Sequence, residues 1–308
     1  MKCKMSKIAL GILLASATSW GQGTKLKLDT AKIDEITGLK GKLNEQEGVF
    51  KVSWPRTDIK ISVDKWEMPP FMGLTSWAAF MAGMKDGAMV MGDLVLMQDE
   101  VDPVMSSALD NGLQVTALHN HFFFDEPKVY FMHIGGEGDT ATLAKGVRAA
   151  LDTVKKIRAA NTRPGQSFIS AGIPAKSSLT AETIQGILGT KGETKDGMFK
   201  AVLGRSVKMP CGCEVGKEMG VNTWAAFAGT EDNAVVDGDF VVLEDELQPA
   251  LKSLRKSGIN IVAIHHHMIG EEPRMIFFHY WGRGRAKELA SAIKTALQAT
   301  KTKAAPPK

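Results

Sequence analysis

A chain that spells the same string of residues twice must fold as two like modules, and that constraint outranks any local propensity. Ala88 to Gly138 aligns without a gap on Ala234 to Gly284. Gly92-Asp93 falls on Gly238-Asp239, Glu100 on Glu246, Pro103 on Pro249, Gly112 on Gly258 and Glu126-Pro127 on Glu272-Pro273. Upstream, after a single-residue gap, Trp-Ala-Ala-Phe at 77–80 falls on the same four residues at 224–227, and Gly73 on Gly220. Phe50-Lys51 matches Phe199-Lys200 more loosely. The expected division is a leader over 1–22, a first module over 23–158, a linker over 159–178, a second module over 179–300 and a tail over 301–308. Pro164, Gly165, Gly172 and Pro174 mark the linker as a boundary.

Each module has a mixed pattern. Short helices are expected over 29–39 and 180–188, and strands near 48–53, 59–63, 77–81 and 88–97. A helix then starts at Pro103, with Asp102 as N-cap, Gly112 as its stop, and Val101, Val104, Met105, Ala108 and Leu109 as its buried stripe. Strands over 113–123 and 128–134 follow. A last helix runs from Thr140, capped by Asp139, with Leu143, Val147, Ala150, Leu151 and Val154 on one face. The order predicts an α+β fold of two tandem modules, each a mainly antiparallel sheet with two to three helices, packed with pseudo-twofold symmetry.

All seven histidines belong to the repeat. His119-Asn120-His121 is followed by His133, and His265-His266-His267 by His279 at the same spacing. Residues two apart on a strand share a face, so His119 and His121 point one way and Asn120 the other. With Asp125-Glu126-Pro127 as the turn and Glu126 at its centre, position 119 pairs with 133 and 121 with 131. Cross-strand Cβ atoms then lie about 4.5 to 5.5 Å apart, which brings three imidazoles within reach of one ion. The same arithmetic gathers His265, His267 and His279 and leaves His266 outside. Three nitrogen ligands with an open position describe a catalytic zinc site, with iron or copper as alternatives. The competing reading is a hairpin whose imidazoles merely pack; repetition of the whole triplet favours metal.

Carboxylates are the candidate bases or fourth ligands. Glu126 and Glu272 follow the second histidine of each copy, at a spacing similar to cupin metal sites, although a turn residue before proline is commonly solvent-facing. Glu100 and Glu246 stand just ahead of a helix, where a negative charge also favours the dipole. Asp93 and Asp239, after glycine, are read as marking a bend or bulge. Gly136-Glu137-Gly138 and Gly282-Arg283-Gly284 lie between strand and helix and are read as tight turns rather than anion sites. Trp77, Phe80 and their counterparts are expected in the core. So are Met81, Met91, Met97 and Met105, against a copper-handling reading of the sixteen methionines.

The N-terminus reads as a secretory signal: Lys2, Lys4 and Lys7, an apolar run from Ile8 to Leu14, then small residues. That run is too short for a membrane span. The expectation is an exported protein, periplasmic or secreted, without stable membrane insertion once the signal is removed. The net charge of +4 includes those leader lysines and the tail's Lys301, Lys303 and Lys308, so the folded body is near neutral and nucleic acid is not an expected partner. Beyond the leader's Cys3, Cys211 and Cys213 form a C-x-C pair too tight for a relaxed disulfide. Soft-metal or redox chemistry, a strained disulfide and a plain loop feature all remain open for it.

With these motifs assembled, the chain resembles the LppY/LpqO family of exported bacterial proteins, built from a domain of unknown function that often occurs in tandem. Gly-Leu-Thr-Ser-Trp-Ala-Ala-Phe at 73–80, Met-Gly-Asp-Leu-Val-Leu at 91–96 and Asp-Glu-Val-Asp-Pro-Val at 99–104 carry the resemblance. Val-Thr-Ala-Leu-His-Asn-His at 115–121 and Tyr-Phe-Met-His at 130–133 complete it. It implies export and duplication and supplies no reaction. Two functions follow from the residues. One is a metal-dependent hydrolase or lyase in which three histidines per repeat hold the ion and Glu100 or Glu126 acts as base. The other is a non-catalytic envelope protein that binds a metal or a small-molecule or cell-envelope ligand between its repeats.

Overall fold

The computed structural model describes residues 28–83, 87–164 and 172–300, so the expected leader and tail lie outside the described residues. The first module contributes helix α1 (Thr30–Thr37) and strands β1 (Lys42–Asn44), β2 (Val49–Pro55), β3 (Ser62–Val63), β4 (Trp66–Glu67), β5 (Thr75–Ala82) and β6 (Ala88–Met97). Helix α2 (Val101–Asp110), strands β7 (Gln114–His119), β8 (Asp125–Glu126) and β9 (Val129–Gly138), and helix α3 (Thr140–Ala160) complete it. The second module repeats the order: α4 (Ala181–Leu188), β10 (Gly192–Lys195), β11 (Met198–Gly204), β12 (Val207–Lys208), β13 (Glu214–Val215), β14 (Asn222–Gly229) and β15 (Ala234–Leu243). It ends with α5 (Glu244–Lys256), β16 (Asn260–His265), β17 (Met275–Gly284) and α6 (Ala286–Gln298). Among the described residues each module thus has three α-helices. No described helix is long and apolar enough to cross a membrane.

The two modules share one sheet. Its twelve strands run β1-β2-β5-β6-β9-β7-β16-β17-β15-β14-β11-β10, and every pairing is antiparallel. At the seam, Leu118 of β7 stands opposite Ile264 of β16, the two residues that the sequence repeat equates. Each module also reaches across this seam with a side chain from its own helix. Gln248 of α5 donates to the Val115 carbonyl (2.8 Å) and accepts from the Val115 N–H (2.9 Å), while Asp102 of α2 accepts from the Ile261 N–H (2.9 Å). These side chains serve the backbone where β7 and β16 each shift register, between Val115 and Ala117 and between Ile261 and Ala263. A bulge there leaves backbone polar groups without ladder partners, and a buried one needs a substitute.

Alternating burial sets the two faces of the sheet. In β14 every second residue is buried, and these residues face the helices with the main core, which runs through Phe80, Val90, Leu94, Phe227, Phe240 and Tyr280. The expected stripes of α2 and α3 are all buried in that core. Among the described residues the other face carries no layer of α-helices, and two satellite clusters lie on it: Ile61, Met68, Val95 and Phe131 in the first module, Val207, Val221, Val241 and Phe277 in the second. On this open face the chain departs from two expectations. Trp77 and Trp224 are half-buried there rather than in the core, and Met81 and Met91 are exposed, whereas Met97 and Met105 are buried as expected. The Gly136 and Gly282 segments are the ends of strands β9 and β17, not turns.

Helix α2 starts two residues before the expected position, with Glu100 rather than Asp102 at its N-cap, because Asp102 is spent on the seam. Pro103 still falls in the first turn, where its missing N–H costs nothing.

The hairpin centred on Glu126 is also corrected. His119 stands opposite Phe131, and His133 opposite Ala117. The nine residues from Asn120 to Lys128 leave the sheet: Asp125 and Glu126 pair with Val63 and Ser62 of β3, and the buried Asp125 carboxylate accepts from the Val129 N–H at 2.7 Å. The centre therefore moves by one residue and each pairing by two, so odd-numbered residues keep their common face and the histidines still meet.

Candidate metal centre

One row of side chains runs across the open face of each module. In the second module Trp224, Asp239, His279 and Ala263 stand opposite one another on β14, β15, β17 and β16. In the first, the same row is Trp77, Asp93, His133 and Ala117. Next to it, just past the bulge, come His265 and His119, and beyond the strand ends His267 and His121. Backbone fit explains why the aspartate follows glycine. A Cβ on Gly238 would sit 2.3 Å from the Trp224 carbonyl oxygen, and one on Gly92 would sit 2.7 Å from that of Trp77. Glycine lets the strands close on the helix side while the next residue points its carboxylate into the histidines.

In the second module the convergence is tight. Nε2 of His267 lies 3.2 Å, and Nε2 of His265 4.0 Å, from Oδ2 of Asp239, and the ligand atoms of these three residues all fall within 4.8 Å of one another. The His265 ring centroid is 4.7 Å from that of His279 and 5.1 Å from that of His267. Two backbone carbonyls fix ring tautomers. Nδ1 of His267 is 3.2 Å from the Gly220 oxygen, and Nδ1 of His279 is 3.3 Å from the Gly238 oxygen. A carbonyl can only accept, so both Nδ1 atoms carry a proton, and in the neutral form of each ring Nε2 is the atom that presents a lone pair. His267 is further held by its ring stacked on Phe277 at 3.6 Å. An imidazole fixed through Nδ1–H to a carbonyl is the usual outer-shell support of a metal-ligating histidine.

Burial and the neighbouring rings set the charges of this cluster. Burial, then His279 and His267, hold His265 down to about 4, so its imidazole is neutral near pH 7. Burial pushes the Asp239 carboxyl up, against the pull of His279 and His267. The Asp239 Oδ1 and His265 Nδ1 atoms are buried without a hydrogen-bond partner. Such orphans are uncommon among buried polar groups.

The first module brings the same residue types together in a different posture. His119 is stacked on His121 (5.2 Å, 11°) and lies 5.1 Å from His133, and His121 is stacked on Phe131 at 3.4 Å. Burial and then His119 push His121 down, while Asp93 opposes them. Asp93 Oδ1 is buried and unpartnered, like its counterpart. Among the described residues, however, three ligand atoms gather within 4.8 Å only in the second module. Asn120 is outside the cluster, and His266 sends Nδ1 to the Met275 carbonyl at 3.4 Å.

The four glutamates lie elsewhere. Both oxygens of Glu100 accept from Arg56 (2.7 and 2.8 Å), and one also accepts from the Met97 N–H. Glu246 is held in the same way by Arg205 (2.7 and 2.9 Å) and the Leu243 N–H. Glu126 is exposed in β8, and Glu272 is exposed in a backbone bridge with Lys208. The carboxylates at the histidines are Asp93 and Asp239 instead. The available signal was the recurrence of Gly-Asp at a fixed offset from the histidines, which a bend does not require. Cys211 and Cys213 are free, exposed thiols on the loop between β12 and β13.

The second cluster opens into a cavity of about 680 Å³ whose walls include Asp239, His267, Trp224, Lys191, Lys200 and Lys217. Lys200 lies over the Trp224 ring at 4.5 Å, and Lys51 over Trp77 at 4.2 Å, a cation–π pair kept in both modules.

No curated protein matches this chain. Among solved structures, a trimeric bacterial microcompartment shell protein, PduB, is similar at 10% identity over 84% of this chain and 89% of that one. Its TM-score of 0.19 is too low to bear on fold or function. The sequence model of a family described as Domain of Unknown Function (DUF1259) matches twice, at residues 31–153 and 182–299. The chain belongs to that family and carries two tandem copies of its domain.

Proposed function

We propose that this is an exported protein of the LppY/LpqO type, with its repeats related by a pseudo-twofold axis at the seam, and that its second module holds a divalent metal ion. Asp239, His265 and His267 are the ligands, His279 supports them from beside His265, and the open fourth position of the ion serves hydrolase or lyase chemistry on a small molecule that enters by the adjoining cavity. The observation that carries this is the 3.2 Å approach of His267 Nε2 to Asp239 Oδ2 while His267 Nδ1 is committed to a carbonyl. An ion between them supplies the positive charge that two facing lone pairs require, a role that otherwise falls to a proton on His267 Nε2 or on the carboxylate. Ligand atoms on a tetrahedral ion with bonds of about 2.05 Å stand roughly 3.4 Å apart, close to this spacing. Zinc suits the imidazole-rich set best, and iron or copper would also be held. When bound, such an ion supplies Lewis acidity and lowers the pKa of a coordinated water toward about 7. The chain's own residues orient His267 and His279 through Gly220 and Gly238.

The arginine-locked Glu100 and Glu246 and the exposed Glu126 and Glu272 favour a second reading, non-catalytic binding of a metal and a small ligand. Metal analysis of protein purified without a histidine tag tests both. About one ion per chain is expected, lost in Asp239→Ala and His267→Ala; under a tenth of an ion, with folding unchanged by chelation, sinks both. A cobalt-substituted sample separates the two readings. A visible spectrum that shifts with azide means an exchangeable position and favours the enzyme, and an unresponsive one favours the binder.

A further inference from the structure

We infer that the second module's centre takes a small organic anion with an apolar body, an inference that rests on the metal reading above and names the class of its ligand. Three lysines, Lys191, Lys200 and Lys217, stand in the cavity that reaches Asp239 and His267. Glu193, across from Lys200 in the β10–β11 register, and Glu218, 3.8 Å from Lys217, offset part of that charge. Once a divalent ion neutralises Asp239, the inner end of the cavity is electropositive, and a carboxylate there meets both the ion and the lysines.

The apolar half comes from a second cavity of about 620 Å³ on the same open face, which shares Glu193 and Lys200 with the first. Its walls include Met198, Ala226, Ala228, Val235 and Trp281, with Lys195 and the exposed Asp237, which stands opposite both Ala226 and Trp281, as its other charged members. Trp281 follows His279 by two residues on β17, so it shares the face of the metal cluster, and it is 42% exposed. Lys200 stands where the two cavities join, its ammonium already poised over Trp224. A ligand laid across that junction puts its anionic head toward the histidines and its hydrocarbon along Ala226, Ala228 and Trp281. Both volumes lie in the range of small-molecule sites, which pair mostly apolar walls with a few placed polar groups. Lys217 and Val202 of these walls align with Pro70 and Ser53 in the first module, so the sequence assigns this ligand to the second copy alone.

The test is calorimetric titration of the zinc-loaded full chain with acetate, octanoate and octylamine, with metal content measured on every sample. Octanoate is expected to bind at least about tenfold more tightly than acetate, because its tail adds buried methylenes, and octylamine to bind far more weakly. Lys200→Met should weaken octanoate about tenfold with the metal retained, and Trp281→Ala should weaken octanoate while leaving acetate unchanged. Octanoate no tighter than acetate, octylamine as tight as octanoate, or octanoate indifferent to both substitutions overturns the inference. If metal binds and octanoate does not, this inference fails alone. If octanoate binds through Lys200 and Trp281 with no metal present, the metal reading fails and the anion site stands.

Discussion

Glu100 offers the sharpest test of whether a repeated acid serves chemistry or the fold. It is fully buried, and its two oxygens take 2.7 and 2.8 Å hydrogen bonds from Arg56 and one of 2.8 Å from the Met97 N–H. Arg158 adds a charge contact, its Nε lying 2.7 Å from Oε1, and is itself paired to Asp99. Glu100→Gln keeps the shape and one acceptor but turns an amide NH2 toward two arginines and removes the charge they share. Breaking a buried pair from one side costs about 3 to 5 kcal/mol. The retained acceptor, and the second carboxylate that Arg56 finds in Asp58 (2.9 and 3.0 Å), place the expectation near the lower end, about 3 kcal/mol. Glu246→Gln disturbs one arginine, which is slightly exposed, so about 1.5 to 3 kcal/mol is expected there. Urea unfolding followed by tryptophan fluorescence measures both, with metal content measured in parallel. The expected result is lost stability with metal binding unchanged in the folded protein. A Glu100→Gln protein as stable as the parent that no longer binds metal would refute the structural assignment.

The cluster itself predicts that Asp239→Asn lowers zinc affinity at least about tenfold by competition titration, whereas His119→Ala leaves the tight site intact. Equal losses from the two substitutions would contradict the difference between the modules. Removing the metal with a chelator should lower Tm, and adding zinc back should raise it steadily with the logarithm of free zinc, as expected for a ligand of the folded state alone. A Tm indifferent to zinc counts against the centre. Gln248→Ala strands both polar groups of the buried Val115 at the seam, so a loss of about 2 to 4 kcal/mol is expected in equilibrium unfolding. A change under about 0.5 kcal/mol would mean the bulge has other partners. Gly238→Ala places a Cβ 2.3 Å from the Trp224 oxygen and 2.2 Å from the Tyr280 hydroxyl, so β14 and β15 must part. It should cost at least about 2 kcal/mol and weaken zinc binding by moving Asp239; normal stability with normal zinc binding would show that the strands can yield there.

The sequence reveals what is local or repeated and conceals what is carried between distant strands. The duplication, the helix stripes and the common face of His119, His121 and His133 follow from periodicity and parity. The exact pairing does not, because Asp125-Glu126-Pro127 looks like a turn until β3 is present to receive it. Convergence survived because each pairing shifted by an even number of residues; an odd shift would have sent His133 into the helix-side core with Met132. Asp239 was missed for the same reason in another form. Its hold on His279 runs through the register of β15 with β17, forty residues along the chain, so the sequentially nearer Glu272 attracted the role. Glu100 likewise meets Arg56 from forty-four residues away, and the clue was that Arg205 recurs beside Glu246. Met81 and Met91 occupy strand positions expected to be buried, but they fall on the face that an antiparallel sheet can leave to solvent, and among the described residues nothing covers them.

That uncovered strip is where the two copies diverge. Duplication kept what any ion needs, the aspartate after glycine and three histidines, and it kept the lysine over the tryptophan. It did not keep the cavity wall, where Lys217 and Val202 replace Pro70 and Ser53, nor the same posture of the rings: His119 stacks on His121 in the first copy, whereas His265 and His267 are tilted to each other about Asp239 in the second. One continuous sheet forces both copies to fold together, so a module that lost its ligand would still be retained for the strands it supplies. The Oδ1 atom of Asp93, buried and unpartnered in the first copy, argues that its histidines can still turn toward an ion. Zinc titration of His267→Ala should therefore uncover a second, weaker site that His133→Ala abolishes.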